Sequence, residues 1–298
     1  MFNSVEKYLE ALKKEMRGID RATVQDALTD AEEHLRTALE TARQEQPEMD
    51  AARLLPAIIE QYGTPEETAA AYAEVERRTP TALAAPVARK PRSGLGHFFA
   101  IYADPRAWGA LFYLLIAFVT GVVYFSWAVT GVSVSISFAL FIFGLPVALV
   151  FILSVRGIAW LEGRLVEALL GVRMPRRPLF ASQNLTWQQR LKSLVLDKHT
   201  WLSFVYLLTQ FVLGTLYFVV LVTLFSLSLS GLGIPVLQEI FHLPMIQNYD
   251  VHYFMPRWSY PLTVLGGILL WTAVMHLVKG IGGLHGRYAK AMLVVEQD

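Results

Sequence analysis

Three stretches of the chain contain no Asp, Glu, Lys or Arg: Ala107–Val155, His199–Gln238 and Trp258–Val278. They hold 49, 40 and 21 residues in a protein of 298. A helix needs roughly 20 apolar residues to cross about 30 Å of hydrocarbon, and lipid leaves helices or closed barrels as the only spanning structures. The runs predict four membrane helices, at about 107–129, 136–155, 201–228 and 259–278. The first run divides at its polar break, Thr130-Gly131-Val132-Ser133. A Ser/Gly-rich exit follows the third crossing, and an insertion on the outer face covers about 229–258.

Lys and Arg set the orientation. The segment between the second and third crossings carries Arg156, Arg164, Arg173, Arg176, Arg177, Arg190, Lys192 and Lys198. Arg89, Lys90, Arg92 and Arg106 precede the first crossing, and Lys279, Arg287 and Lys290 follow the fourth. The outer segments have only Arg257. A multi-pass cell-membrane protein with cytoplasmic N- and C-termini is expected. Met1 to Arg17 is charged and amphipathic, unlike a secretory signal.

Residues 1–80 hold 17 acidic and 10 basic residues, a net of −7, whereas the rest of the chain has a net of +8. Phosphate contacts need Lys and Arg, so direct nucleic-acid binding by the acidic part is not expected. There are no cysteines, which excludes a disulfide framework, a thiol nucleophile and a thiolate zinc site.

Helical periodicity organises the acidic part. Val5, Tyr8, Leu9, Leu12 and Met16 form one stripe; Val24, Ala27, Leu28, Ala31, Leu35 and Leu39 form a second. Leu54, Leu55, Ile58, Ile59 and Tyr62 form a third, closed by Gly63. Thr64-Pro65-Glu66-Glu67 is a capping box opening a fourth helix, with Tyr72 and Val75 inward. The expected fold is all-α: a cytoplasmic bundle over 1–78, a Pro/basic linker over 79–97 and a four-helix membrane domain over 98–298. The linker's Arg89, Lys90 and Arg92 suit anionic lipid.

The membrane part repeats itself. A shift of 93 aligns Asp104, Trp108, Tyr113, Phe118, Gly121 and Tyr124 with Asp197, Trp201, Tyr206, Phe211, Gly214 and Tyr217, among ten identities in 22 positions. A shift of 123 aligns Gly157, Gly163 and Arg164 with Gly280, Gly286 and Arg287. Apolar composition does not explain matched Asp, Trp, Gly and Arg. Two hairpins of the same design, both entering from the cytoplasm, are expected. Asp104 and Asp197 suit helix N-caps. Tyr102, Trp108, Trp201 and Trp258 suit aromatic belts. Trp187, Leu191 and Leu194 suit a helix on the cytoplasmic leaflet.

These residues resemble a known bacterial combination. Val5-Glu6-Lys7-Tyr8-Leu9 and Tyr62-Gly63-Thr64-Pro65-Glu66-Glu67 are similar to a HAAS-type helical signalling domain. Asp104-Pro105-Arg106-Ala107-Trp108, Gly144-Leu145-Pro146-Val147, Glu162-Gly163-Arg164-Leu165, Leu169-Leu170-Gly171-Val172 and Leu284-His285-Gly286-Arg287 resemble the four-helix sensor domain found ahead of histidine kinases in actinobacteria. The resemblance implies membrane signalling and a PadR-like winged-helix transcription regulator as partner. No kinase core follows Asp298, so output is expected through the bundle or the basic face.

Several residues are candidates for chemistry. Glu32, Glu33, Glu66 and Glu67 form acidic surface for docking a basic regulator, against the commoner solvated surface. Phe241, His242, Tyr249, Asp250, His252, Tyr253, Phe254 and Trp258 crowd the outer insertion, as a site for a lipid-like or aromatic molecule or as a headgroup anchor. Imidazole and carboxylate there suit zinc, but an ordinary wet loop is the stronger reading and no metal or cofactor is expected. His276 is an ionisable group inside a crossing, for which a bond near the interface is favoured. Arg164 and Arg287 read as membrane-interface charges, with Glu162–Arg287 pairing as the alternative. Gly280, Gly283 and Gly286 suit close packing, within the bundle or in a homodimer.

No phosphate-binding loop, nucleophile elbow or metalloprotease pattern occurs. The leading expectation is a non-enzymatic sensor in contact with membrane lipids. A small oligomeric transporter or channel, a lipid-binding membrane protein and a small membrane enzyme are the alternatives. A buried polar cluster would favour the enzyme.

Overall fold

The computed structural model describes residues 2–79, 83, 94–139, 144–176, 192, 194–248 and 251–294. Nine α-helices, two short 3-10 helices (Ala100–Ala103 and Arg257–Ser259) and one short hairpin are the regular elements among these described residues. Helices α1 (Val5–Glu15), α2 (Arg21–Glu45), α3 (Ala51–Tyr62) and α4 (Pro65–Arg78) are followed by the short α5 (Gly94–Phe99). The long helices are α6 (Pro105–Ala139), α7 (Gly144–Leu170), α8 (Lys198–Phe241) and α9 (Tyr260–Leu293). Each is long and apolar enough to cross a membrane. The chain falls into two compact units, residues 1–84, 138–203 and 288–298 in one and 85–137 and 204–287 in the other.

In the first unit, α1 to α4 fold as their periodicity predicts. Ser4 caps α1 through the Lys7 N–H, and Asp20 caps α2 through the Ala22 N–H at 2.9 Å. Tyr8, Leu12, Met16, Ala31, Leu35 and Leu55 are buried at the centre of the bundle. Full burial of an apolar side chain of this size contributes about 1.5–3 kcal/mol. The buried Tyr8 hydroxyl donates to the Gly63 carbonyl at 2.9 Å and lies 3.1 Å from the Thr68 hydroxyl, which ties α1 to the α3–α4 turn. Gly63 adopts φ 115°, the left-handed region where a side chain is strained. The Thr64–Glu67 capping box is complete. Val75, placed inward by the periodicity, is instead 51% exposed.

In the second unit, α6 and α8 approach closely through two glycines. A Cβ on Gly214 would stand 2.2 Å from the Ala117 carbonyl oxygen, and one on Gly121 would stand 2.7 Å from that of Gln210. Phe118 stacks on Phe218 at 4.6 Å and Phe125 on Phe211 at 4.8 Å. Helices α8 and α9 meet where the Ser228 hydroxyl donates to the Gly267 carbonyl at 2.7 Å. Between them lies an antiparallel hairpin, β1 (Ile246–Asn248) and β2 (Val251–Tyr253), with Ile246 opposite Tyr253.

Helices α6, α8 and α9 outrun the predicted crossings, whereas the crossing expected at 136–155 is displaced: α7 starts at Gly144 and runs to Leu170, and residues 136–139 belong to α6. The turn expected at Thr130-Gly131-Val132-Ser133 is helical, and α6 continues to Ala139. The Ser133 hydroxyl donates to the Val129 carbonyl and Ser137 to the Ser133 carbonyl, both at 2.8 Å. Hydroxyls satisfied within the helix do not interrupt it. The Ser/Gly exit after 228 is likewise helical to Phe241. The linker residues Arg89, Lys90 and Arg92 and the predicted surface-helix residues Trp187 and Leu191 lie outside the described residues.

Candidate functional site

A buried hydroxyl–imidazole cluster lies between α6, α8 and α9. His285 of α9 is 2% exposed. Its Nε2 lies 2.7 Å from the Tyr113 hydroxyl and 3.1 Å from that of Tyr206. Its Nδ1 lies 3.2 Å from the Tyr217 hydroxyl. The Gln210 amide donates to Tyr113 Oη at 3.2 Å. In one tautomer Nδ1–H donates to Tyr217 and the single lone pair of Nε2 accepts from Tyr113, with the Tyr206 hydroxyl in reach of both Nε2 and Tyr113 Oη. Three helices thereby share a single imidazole, and a buried polar network of this kind is costly to leave half-made.

Sequence reasoning passed over this cluster and singled out His276. The structure places His276 Nε2–H on the Phe98 carbonyl at 2.9 Å, with its ring stacked on Phe98. The usable signal was the aligned pair Tyr113 and Tyr206, whose hydroxyls stand 3.4 Å apart.

Two ion pairs occupy matching positions, one in each unit. Asp104 caps the start of α6 through the Arg106 N–H and pairs with Lys279 of α9 at 2.7 Å. Asp197 receives the His199 N–H at 3.1 Å and pairs with Arg156 of α7. The shifts of 93 and 123 carry Asp104 to Asp197 and Arg156 to Lys279. Each tryptophan that follows donates to a carbonyl six residues earlier, Trp108 to Tyr102 at 3.0 Å and Trp201 to Val195 at 2.8 Å. Burial opposes ionisation of Asp104, but the Lys279 ammonium and the Arg106 N–H outweigh it and hold its carboxyl below the usual range.

The helical bundle is fastened to the ends of the long helices. Lys290, in the last turn of α9, donates to Asp20 Oδ2. The Arg176 N–H, just beyond α7, donates to Asp26 Oδ1 at 2.8 Å. Gly171, with φ 68°, closes α7, and a Cβ there would stand 3.1 Å from Leu83. Arg164 turns the chain after α7 by donating to the carbonyls of Met174 and Pro175 at 2.8 and 2.5 Å. It also pairs with Glu167 at 2.6 Å.

The predicted docking carboxylates differ in what they do. Glu32 pairs with Arg36 at 2.9 Å, and Arg36 reaches Glu6 at 3.2 Å, all on exposed surface. Glu33 and Glu66 lie on α2 and α4. The Glu67 carboxylate accepts the Thr64 N–H at 2.9 Å, and this bond and the Thr64 hydroxyl hold its carboxyl below the usual range.

In the insertion over 229–258, Phe241, Tyr253, Phe254 and Trp258 are 63%, 51%, 50% and 74% exposed. His242 follows α8 at φ 53°. His252 lies on β2 opposite Gln247, and Tyr249 and Asp250 lie outside the described residues. Among the described residues no group of three His, Cys, Asp or Glu stands close enough to hold a metal. Arg257 clasps Glu239 with two bonds, 2.8 and 3.1 Å. At Gly280 and Gly283 an added Cβ would meet nothing within 4 Å, so neither supports close packing within the chain. Glu162 is fully buried.

Four helices of spanning length, a polar cluster between three of them and an acidic helical bundle bonded to residues at the ends of two define a sensor-like α-helical membrane protein. The chain belongs to the family described as "Putative sensor", whose model matches residues 113–293. The HAAS model matches residues 7–71. No curated protein and no solved structure matches the chain.

Proposed function

We propose that the protein is a non-enzymatic transducer in the cell membrane, with both termini cytoplasmic, whose HAAS domain holds or releases a PadR-like winged-helix transcription regulator. The carrying observation is the bond from Lys290 to Asp20. Helix α9 holds His285 in the buried cluster and, five residues on, Lys290 against the HAAS domain. A rigid helix carries a displacement along its axis undiminished, and at a rise of about 1.5 Å per residue the two groups stand about 7.5 Å apart along it. A stimulus that changes how the three tyrosines hold His285 therefore moves the group that fastens the HAAS domain. The stimulus acts only through different free energies of interaction with the two arrangements. The acidic balance of the first 80 residues suits a basic protein surface rather than DNA.

The same cluster is the observation that favours a small membrane enzyme. The readings separate in one experiment: affinity capture of the full chain from membranes of the native cell, read by mass spectrometry. Recovery of a winged-helix regulator, lost in Glu32→Lys/Glu33→Lys, supports the transducer. Capture of no such regulator by the wild-type chain contradicts it.

A further inference from the structure

Helix α8 is far longer than a bilayer requires. Its 44 residues extend about 66 Å at the standard rise, against about 30 Å of hydrocarbon. Residues 199–238 carry no charge over that length. A tilt within the usual range of about 0–40° shortens the projection of 66 Å by no more than a quarter. The end of α8 that leads into the hairpin therefore reaches past a bilayer crossed upright, yet most of its surface stays apolar. Leu227, Leu229, Val236, Leu237, Ile240 and Phe241 are 43–64% exposed. They extend the exposed apolar surface formed earlier on the helix by Val212, Leu216, Val219 and Val222; of the polar groups among them, the Ser230 hydroxyl bonds back to the Ser226 carbonyl at 2.8 Å and Glu239 is paired with Arg257. Pro235 lies inside this segment and removes one backbone hydrogen bond, a point of bending.

We infer that residues 226–241 of α8 lie in the lipid of the far leaflet, bent at Pro235 to an extent set by bilayer thickness, and that bilayer thickness is the stimulus the protein reads. The inference rests on the transducer reading and names its input. The occupant of the apolar face is lipid because that face is continuous with the lipid-facing surface of a spanning helix. The bend has a route to α9. Gly231 and Gly267 approach so closely that a Cβ on Gly267 would stand 2.9 Å from the Ser228 carbonyl oxygen. The Ser228 hydroxyl is bonded to the Gly267 carbonyl. Displacement of α8 at Ser228 thus acts directly on α9, which ends at the bond to Asp20.

The cysteine-free chain makes the test clean. Full-length protein carrying a fluorophore at Phe241→Cys, and separately at Leu229→Cys, is placed in nanodiscs of phosphatidylcholine with fourteen-, eighteen- or twenty-two-carbon monounsaturated chains. Quenching by spin-labelled acyl chains reports lipid contact. Carbodiimide coupling of Lys290 to Asp20, measured on unlabelled wild-type chain, reports the output. Mismatch costs a fraction of a kcal/mol per Å, so a few Å of thickness change the coupling yield several-fold. Both labels are expected to be quenched, and the yield to move monotonically with chain length. Labels quenched only by a water-soluble agent, or shielded from both quenchers by a second copy of the chain, overturn the inference. So does a yield equal in all three lipids. Neither readout involves the regulator, so the transducer reading fails or stands separately.

Discussion

Lys290, one turn from the end of the last membrane helix, donates to Asp20, the residue that caps the second helix of the HAAS domain. One carboxylate thus serves two structures. Its Oδ1 satisfies the Ala22 N–H at 2.9 Å while Oδ2 holds the ammonium. Asp20→Asn keeps an adequate cap but loses the charge. The expected result is a helix α2 that stays folded with the domain more readily released. The pair is about three-quarters buried, so its loss is expected to cost about 1 kcal/mol. Amide exchange over α1–α4 in nanodiscs, compared for wild type, Asp20→Asn and Lys290→Ala, checks this. Equal protection in all three would show the bond to be idle.

The His285 cluster predicts a hierarchy of costs. His285→Ala removes one bond from each of Tyr113, Tyr206 and Tyr217 and leaves a cavity where the imidazole stood. A net loss of about 0.5–1.5 kcal/mol per bond makes this variant the most damaging. Tyr217→Phe removes one bond and is expected to cost about 0.6–1 kcal/mol, the scale of interhelical bonds in membranes. Thermal unfolding in detergent gives the order: His285→Ala lowest, Tyr217→Phe near wild type.

The glycines divide into two classes. Gly214→Ala and Gly121→Ala force a Cβ within 2.2 and 2.7 Å of backbone oxygens and must push α6 from α8. Overpacking of this kind costs about 1–3 kcal/mol or more. Gly280→Ala and Gly283→Ala meet open space and should be neutral or stabilising by up to about 1 kcal/mol. Loss of thermal stability in the second pair would reveal a contact outside the chain, such as a homodimer.

Acid should loosen two helix starts. Glu67 is held below the usual carboxylate range by the Thr64 N–H and hydroxyl, and Asp104 by Lys279 and Arg106 against its burial. For a depressed pKa the stabilisation is full above the unfolded value, about 4 for these groups. It is lost as pH falls through the folded value. The first turn of α4 should fray below about pH 4, and Glu67→Gln should remove most of that acid dependence. Carboxylate NMR titration of the full chain checks the sign: a Glu67 pKa above the usual glutamate range would contradict it.

Regular helices and their caps were legible in the sequence because those signals are local. The stripe of Val5, Tyr8 and Leu12, the closing Gly63 and the Thr64–Glu67 box each depend on spacing within a turn or two. Helix ends in the membrane part were not legible. Thr130-Gly131-Val132-Ser133 looks like a break, but Ser133 bonds to the preceding turn and α6 continues through it. The cluster around His285 was hidden for a different reason. It joins residues 113, 206, 217 and 285, of which the repeat links only 113 to 206. Glu67 reads from the sequence both as the capping-box residue and as docking surface, and its carboxylate is committed to its own helix.

The most direct test of the coupling is a charge swap at Lys290 and Asp20, read as operator occupancy by the captured regulator in the native cell. The account predicts that Lys290→Asp and Asp20→Lys each alter occupancy and that the double variant restores it towards wild type. Four identical occupancies, or a double variant no better than the singles, would contradict it.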